Sequence, residues 1–177
     1  MKSSKLTPDE KKQKWIKNVE SQEMRRVIDY KNAGRLSDLY EIDKKESWIL
    51  RTIDDKKIRY KLKESNYIIH VGSGMYPYSL MDMYKRFPHI KYIGLEIIPE
   101  RAKVSQIVLN ATPAKEGVEI KVEDGTKFDY SFLSDEDMVF IGSDVDTDAV
   151  FNQVLKTSGA QVYPCAPYKN IWLTRVM

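Results

Sequence analysis

The sequence is poor in the residues that build disulfides and metal centres. Its 177 residues include one cysteine, Cys165, and two histidines, His70 and His89. A single cysteine excludes a disulfide within the chain, and so few thiols and imidazoles predict no metal site. The sequence therefore favours a reducing compartment, and we expect a cytoplasmic protein.

Long apolar runs and a strong excess of one charge are also lacking. No apolar run approaches the roughly 20 residues of a membrane span, and the first fourteen residues have no apolar core of a signal peptide. We expect no membrane partner. The net charge of +3 is mild, so nucleic acid is not predicted as a partner either. With 42% hydrophobic and 31% charged residues, the composition is that of a globular domain.

Residues 1–60 are predicted to form a helical cap of two helices. The first begins at Thr7-Pro8-Asp9-Glu10 and ends at Asn32-Ala33-Gly34. Its apolar stripe is Trp15, Ile16, Val19, Met24, Val27 and Ile28. The second runs from Ser37 to about Thr52, with Leu36, Leu39, Tyr40, Trp48 and Ile49 inward. The basic runs "KKQKWIK" and "DDKKIRYKLK" indicate solvated helix faces, with a basic docking surface as the alternative.

Residues 61–177 alternate between predicted strands and helices. The strands are "YIIHV", "IKYIGLEI", "VEIKV", "DMVFIGS" and "AQVYPCA"; the helices are "YSLMDMYKRF", "PERAKVSQIVLNA" and "TDAVFNQVLKTS". This alternation predicts an α/β fold with a mostly parallel, Rossmann-like sheet. Only "PYKN" precedes the last segment, "IWLTRVM", so we expect an antiparallel hairpin at the C-terminus.

The predicted strands end in residues suited to binding a nucleoside. Ligands of open α/β sheets bind beyond the carboxyl ends of the strands. Gly72-Ser73-Gly74 follows the first strand, and Glu96 and Ile97 lie at the end of the second, where an acid about 20 residues beyond the glycines can accept hydrogen bonds from ribose hydroxyls. Asp124 and Gly125 follow the third strand, and Gly142-Ser143-Asp144 the fourth. The pattern predicts an adenosine-containing ligand; the alternative is a tight turn beside solvated acids.

The residues after the glycines narrow the choice of ligand. Pro77 stands where a dinucleotide fingerprint has its third glycine, and it has no N–H to offer a pyrophosphate. No Gly-Lys-Ser/Thr follows, which excludes a P-loop. S-adenosylmethionine carries no phosphate. Its sulfonium is a cation, which the faces of Tyr76 and Tyr78 can attract. These residues favour S-adenosylmethionine, while helix packing is an equal alternative for each tyrosine.

From about Tyr67 to Val150 the chain resembles the class I S-adenosylmethionine-dependent methyltransferases. The resemblance implies that Gly72-Ser73-Gly74 form the glycine motif, that Glu96 binds ribose and that Asp124 lies beside adenine. His70 departs from it, because this position is usually acidic in the family. Within the fold, "VGSGMYPYS" is similar to the "VGSGPLPLTS" loop of nicotianamine synthases and related aminocarboxypropyl transferases.

The expected function is therefore transfer from S-adenosylmethionine to a small-molecule acceptor, with methyl transfer as the default. Asp144 and Tyr76 are the candidate proton acceptors. The alternative implied by the second resemblance is 3-amino-3-carboxypropyl transfer, or cyclisation of the cofactor itself, with release of methylthioadenosine. A third hypothesis is a non-catalytic cofactor-binding module. A homodimer that pairs apolar positions on the first helix or the last strand is a further alternative.

Overall fold

A computed structural model describes residues 8–39, 48–142 and 145–164. Its helices are α1 (Pro8–Asn32), α2 (Trp48–Ile53), α3 (Lys56–Glu64), α4 (Tyr78–Arg86), α5 (Pro99–Asn110) and α6 (Thr147–Thr157), with a 3-10 turn at Pro113–Glu116. Its strands are β1 (Tyr67–Val71), β2 (Lys91–Glu96), β3 (Val118–Val122), β4 (Met138–Ile141) and β5 (Gln161–Pro164). All five predicted strands before the last segment are confirmed, as are the three helices between them.

The strands form one parallel sheet in the order β3-β2-β1-β4-β5. Strand β1 is central, and its Ile69 pairs with Ile93 of β2 and Val139 of β4. The chain moves outward from β1 through β2 to β3 and then returns to the other side of β1. This reversal opens a crevice at the carboxyl ends of β1 and β4. The predicted hairpin with "IWLTRVM" lies outside the described residues.

Both faces of the sheet are buried, because side chains of successive strand residues point to opposite sides. On one face, Ile68 and Phe140 pack with residues from α2, α3 and α4. On the other, Ile69 and Val139 pack with Val150 of α6. Helices on both faces of a parallel sheet confirm the predicted Rossmann-like α/β class.

Helix α1 ends at Asn32, as the sequence predicts, and Gly34 takes up a left-handed conformation just after it. Val27 is buried against Val104 and Val108 of α5, with Met24 beside them. Ile28 is 36% exposed, so its predicted place in the inward stripe is wrong. The side chains of Trp15, Ile16 and Val19 lie outside the description, as do residue Thr7 and the side chains of Asp9 and Glu10.

The predicted second helix is only partly described. Residues 36–39 and Trp48–Ile53 are helical, and Leu39 and Ile49 are buried as expected, whereas Leu36 is half-buried. Tyr40 and the side chain of Trp48 lie outside the description.

Helix α3 corresponds to the second basic run. The carboxylate of Asp55 caps it by accepting the N–H of Lys57 at 2.8 Å. Ile58 and Leu62 are buried, while the lysines at positions 56, 57 and 63 are exposed, as expected of a solvated face. A basic docking surface stays the alternative. The division between a cap at 1–60 and a ligand-binding domain at 61–177 stays a prediction. No helix among the described segments combines the length and the apolarity needed to traverse a bilayer.

Candidate functional site

The glycine loop directly after β1 is held by β2. The N–H groups of Gly72 and Ser73 both donate to the carbonyl of Leu95, at 2.8 and 3.1 Å. Gly72 and Gly74 have φ angles of +75° and +72°, which favour glycine. A Cβ at Gly72 would lie 2.5 Å from Cγ2 of Val145, whereas one at Gly74 would have no neighbour within 4 Å. Gly74 is therefore the open position of the loop.

Glu96 lies against this open position. Its side chain is buried, at 3% exposure, at the carboxyl end of β2. One carboxylate oxygen accepts the N–H of Gly74 and the other accepts the N–H of Ile98, each at 3.0 Å. A carboxylate oxygen has two lone pairs, so each oxygen keeps one for a further donor. The fold thus brings together two of the predicted site residues.

Asp124 and Gly125 follow β3, next to Glu96, whose carbonyl accepts the N–H of Glu123 at 3.3 Å. The hydroxyl of Thr126 donates to Asp124 at 2.7 Å, and the Lys127 ammonium lies 3.1 Å from its other oxygen. The hydrogen bonds from Thr126, followed by the one from Lys127, lower the pKa of Asp124, so this acid is charged.

Two apolar side chains are exposed at the same edge. Ile97 is 61% exposed, and Val122, whose strand neighbour is Glu96, is 52% exposed. Ile97 was predicted from its place after the acid. Val122 was missed, because only the pairing of β2 with β3 shows that it lies beside Glu96. Large exposed apolar residues flanking a buried acid suit a flat, partly apolar ligand.

Ser73 and His70 contribute buried polar atoms under the loop. A Cβ at Gly94 would lie 2.8 Å from the Ser73 hydroxyl oxygen, so Ser73 fills space that the glycine leaves. His70 pairs with the same Gly94 across β1 and β2. Within the described segments, neither the Ser73 oxygen nor Nδ1 of His70 has a hydrogen-bond partner. Burial lowers the pKa of His70 to about 4, so the imidazole is neutral near pH 7 and supplies no negative charge.

Tyr76 is directed at the N-terminal segment of the chain. Tyr76 is 8% exposed and packs with Val27 and Leu39, and its hydroxyl donates to the carbonyl of Leu36 at 2.9 Å. Pro77 is buried at the N-cap of α4. The hydroxyl proposed as a proton acceptor is thus already used in docking the segment after α1.

The end of β4 completes the crevice. The N–H of Gly142 donates to the carbonyl of Val71 at 2.8 Å, so the end of β4 lies directly beside the glycine loop. Ser143 and Asp144 lie outside the described residues. Across the described ranges, no group of three or more histidine, cysteine or carboxylate side chains is arranged to hold a metal ion.

No protein-family model and no curated protein matches the sequence. Solved structures do match its fold. A variant of the nicotianamine synthase MtNAS superposes with a TM-score of 0.64 at 14% identity, over 82% of this chain and 53% of that one. A complex of that enzyme's variant with S-adenosylmethionine gives 0.58 at 15% identity, over 79% and 52%.

Geranyl diphosphate C-methyltransferase from Streptomyces coelicolor A3(2), in complex with S-adenosyl-L-homocysteine, gives 0.50 at 14% identity, over 65% of this chain and 45% of that one. The chain thus spans about half the length of the structures that it matches. With the parallel sheet and the glycine loop, these matches show that it has the class I methyltransferase fold. Its similarity extends in particular to nicotianamine synthase.

Proposed function

We propose that this chain is an S-adenosylmethionine-dependent transferase. The observation that carries the proposal is the position of Glu96, whose buried carboxylate lies under the open glycine of the loop at the carboxyl edge. Two of the structures that share the fold contain S-adenosylmethionine or S-adenosyl-L-homocysteine. These two lines of support point to the same class of ligand.

The residues at this edge fit an adenosine. The free lone pairs of the Glu96 carboxylate can accept both ribose hydroxyls. Ile97 and Val122 offer apolar surface to a base, and Asp124, which is charged, can accept from an exocyclic amino group. Gly72, Ser73 and Gly74 form the loop, whose open position, Gly74, leaves room for close approach of the rest of the ligand, and Pro77 ends the loop.

When bound, S-adenosylmethionine supplies an electrophilic carbon on a sulfonium. The chain then has to orient an acceptor in line with the bond that breaks and to exclude water. Asp144, which follows β4 in the sequence, is our proposed proton acceptor for the nucleophile. Tyr76 is the second candidate, and it has to release Leu36 before its hydroxyl can act.

Methyl transfer to a small molecule is the first proposed reaction. Transfer of the 3-amino-3-carboxypropyl group, or cyclisation of the cofactor, is the second. Two observations favour the second: the structures of nicotianamine synthase match over about four-fifths of this chain, and one of them contains MTA. In addition, position 70 holds a neutral histidine where the methyltransferases usually have an acid. The amino group of the cofactor's methionine therefore meets no carboxylate at this position. A module that binds the cofactor without turning it over is the third.

Incubation with S-adenosylmethionine labelled separately in the methyl and carboxypropyl groups distinguishes the reactions. Methyl transfer yields S-adenosylhomocysteine, and attack on the γ carbon yields methylthioadenosine. Binding without either product supports the non-catalytic module. Calorimetry with S-adenosylhomocysteine and NAD tests the ligand itself: we expect binding of the sulfur nucleoside, and preferential binding of NAD would refute the proposal. A cytoplasmic location and a homodimer are also proposed; fractionation of cells and light scattering test them.

A further inference from the structure

A second concave site lies on the outer helical layer, on the face opposite α6. It is a groove of about 670 Å³, within the roughly 300–1,000 Å³ typical of small-molecule sites. Met81, Tyr84 and Lys85 of α4 form one wall. Residues 111–114, which lead from α5 to the start of β3 at the amino edge of the sheet, form another, and residues 34, 36 and 37 a third. The groove therefore extends away from the edge that carries Glu96.

The walls of this groove are mainly apolar. Leu36, Met81 and Tyr84 are half-buried and contribute hydrophobic surface, and Tyr76 closes the end nearest the glycine loop. Ser37 and Thr112 add hydroxyl groups. A surface of this kind stabilises a ligand by removing an apolar, ring-sized body from water.

The charged side chains of the groove differ in whether they form an ion pair. Asp82, the acid among its described lining residues, is buried and paired with Nε of Arg86 at 2.6 Å. Lys31 and Lys85 also line the groove, and among the described residues neither forms an ion pair. Both belong to the last turn of a helix, where a cation is favourable even without a ligand. These two lysines differ from other lysines in the last turn of a helix because both border the same apolar groove.

We propose that this groove binds a small molecule with an apolar, aromatic-sized body and one anionic group, at a site separate from the nucleoside site. The body occupies the surface of Leu36, Met81 and Tyr84, and the anion lies at the rim beside Lys31 and Lys85. Complementary charge selects an acid over a neutral molecule of the same shape, because neither lysine is paired with a carboxylate in the part of the chain that the structure describes.

A matched pair of fluorescent probes tests the charge requirement. 1-Anilinonaphthalene-8-sulfonate carries one sulfonate, and N-phenyl-1-naphthylamine is the same ring system without it. We expect one molecule of the sulfonate to bind per chain, about tenfold more tightly than the neutral probe. Equal affinity of the two probes, or several equivalent sulfonate sites, would overturn the proposal.

Three variants locate the site. The double substitution Lys31→Glu/Lys85→Glu is expected to remove the preference for the sulfonate, and Ala111→Trp, at an exposed lining position, to block both probes. Lys156→Glu is the control, because this exposed lysine is also in the last turn of a helix but lies on α6, across the sheet. Circular dichroism checks that each variant is folded. An equal loss of binding in Lys156→Glu, or unchanged binding in the double variant, would place the probe elsewhere.

Calorimetry with S-adenosylhomocysteine keeps this inference distinct from the proposed function. The double variant should bind that nucleoside as the wild type does. A parallel loss of both ligands would show that the two sites are one, and would overturn the proposal of a separate site. Absence of nucleoside binding in the wild type, with the sulfonate bound as expected, would reject the proposed function alone.

Discussion

The carboxylate of Glu96 accepts the N–H of Gly74 at 3.0 Å, although 22 residues separate the two in sequence. Its other oxygen holds the N–H of Ile98 at the start of α5. The acid that the sequence assigns to a ribose therefore also fixes the loop that would receive the ligand. Substituting it should affect both stability and binding.

Glu96→Gln tests this double role. A glutamine side chain has one acceptor oxygen, so either Gly74 or Ile98 loses its partner, and an unpaired buried N–H costs about 1–3 kcal/mol. We expect urea unfolding to show a loss in this range, and calorimetry to show weaker binding of S-adenosylhomocysteine. Glu123→Gln, at an exposed acid on the same edge, is the control and should change neither. Unchanged affinity in Glu96→Gln would place the nucleoside elsewhere.

Gly72→Ala and Gly74→Ala separate packing from ligand contact. Both residues have positive φ, which costs an alanine about 1–2 kcal/mol. At Gly72 the new methyl also collides with Val145, so its stability should fall further. At Gly74 the methyl enters open space. We expect Gly74→Ala to lose nucleoside affinity beyond its modest loss of stability.

Gly34→Ala provides the baseline for these two variants, since φ is also positive there and a Cβ meets no atom within 4 Å. It should show the backbone cost alone, with nucleoside binding intact. Equal affinity of Gly34→Ala and Gly74→Ala for S-adenosylhomocysteine would argue against close approach of the ligand to the loop.

Tyr76→Phe distinguishes docking from catalysis. Removing the hydroxyl leaves the carbonyl of Leu36 without this donor, which should lower the free energy of unfolding by about 1 kcal/mol. If docking is its whole role, kcat for the labelled product stays within a few fold of wild type. A fall in kcat of about a hundredfold or more would instead identify the hydroxyl as a proton acceptor.

His70 should make the fold sensitive to acid. Burial lowers its pKa from 6.5 to about 4, so below pH 6.5 the unfolded chain binds a proton that the folded chain does not. Stability is therefore lost as the pH falls from 6.5 to 4, by about 3 kcal/mol from this residue. His70→Leu, of similar volume, should remove that contribution. Urea unfolding of both proteins at pH 7, 5.5 and 4 measures it, and parallel curves would contradict the prediction.

Much of the fold follows from local sequence, because β1, β2 and β4 are buried apolar runs that end at glycine or an acid. Helix α3 was harder to delimit, since Ile58 and Leu62 are its only buried residues among many charges. The direction of Tyr76 was not predictable. A tyrosine beside a glycine loop looks the same in sequence whether it faces a ligand or, as here, the carbonyl of Leu36.

The site shows the same division. Glycines and an acid at the expected spacing identified Glu96, but its bonds to Gly74 and Ile98 depend on how the loop closes over β2. Val122 could not be identified from the sequence for a similar reason, since its place beside Glu96 comes from strand pairing. Positions set by the strands were predictable, and contacts set by tertiary packing were not.

The hydrogen bond from Tyr76 to Leu36 also bears on how the chain can be divided. It joins the glycine loop to a residue 40 positions earlier. That residue lies well inside residues 1–60, which the sequence pattern assigns to a helical cap. A fragment that starts near residue 61 would lack this acceptor and the packing of Val27 and Leu39 on the tyrosine ring. Expressing residues 61–177 alone would thus remove part of the support of the glycine loop, and a fragment that keeps this support has to begin before α1 ends.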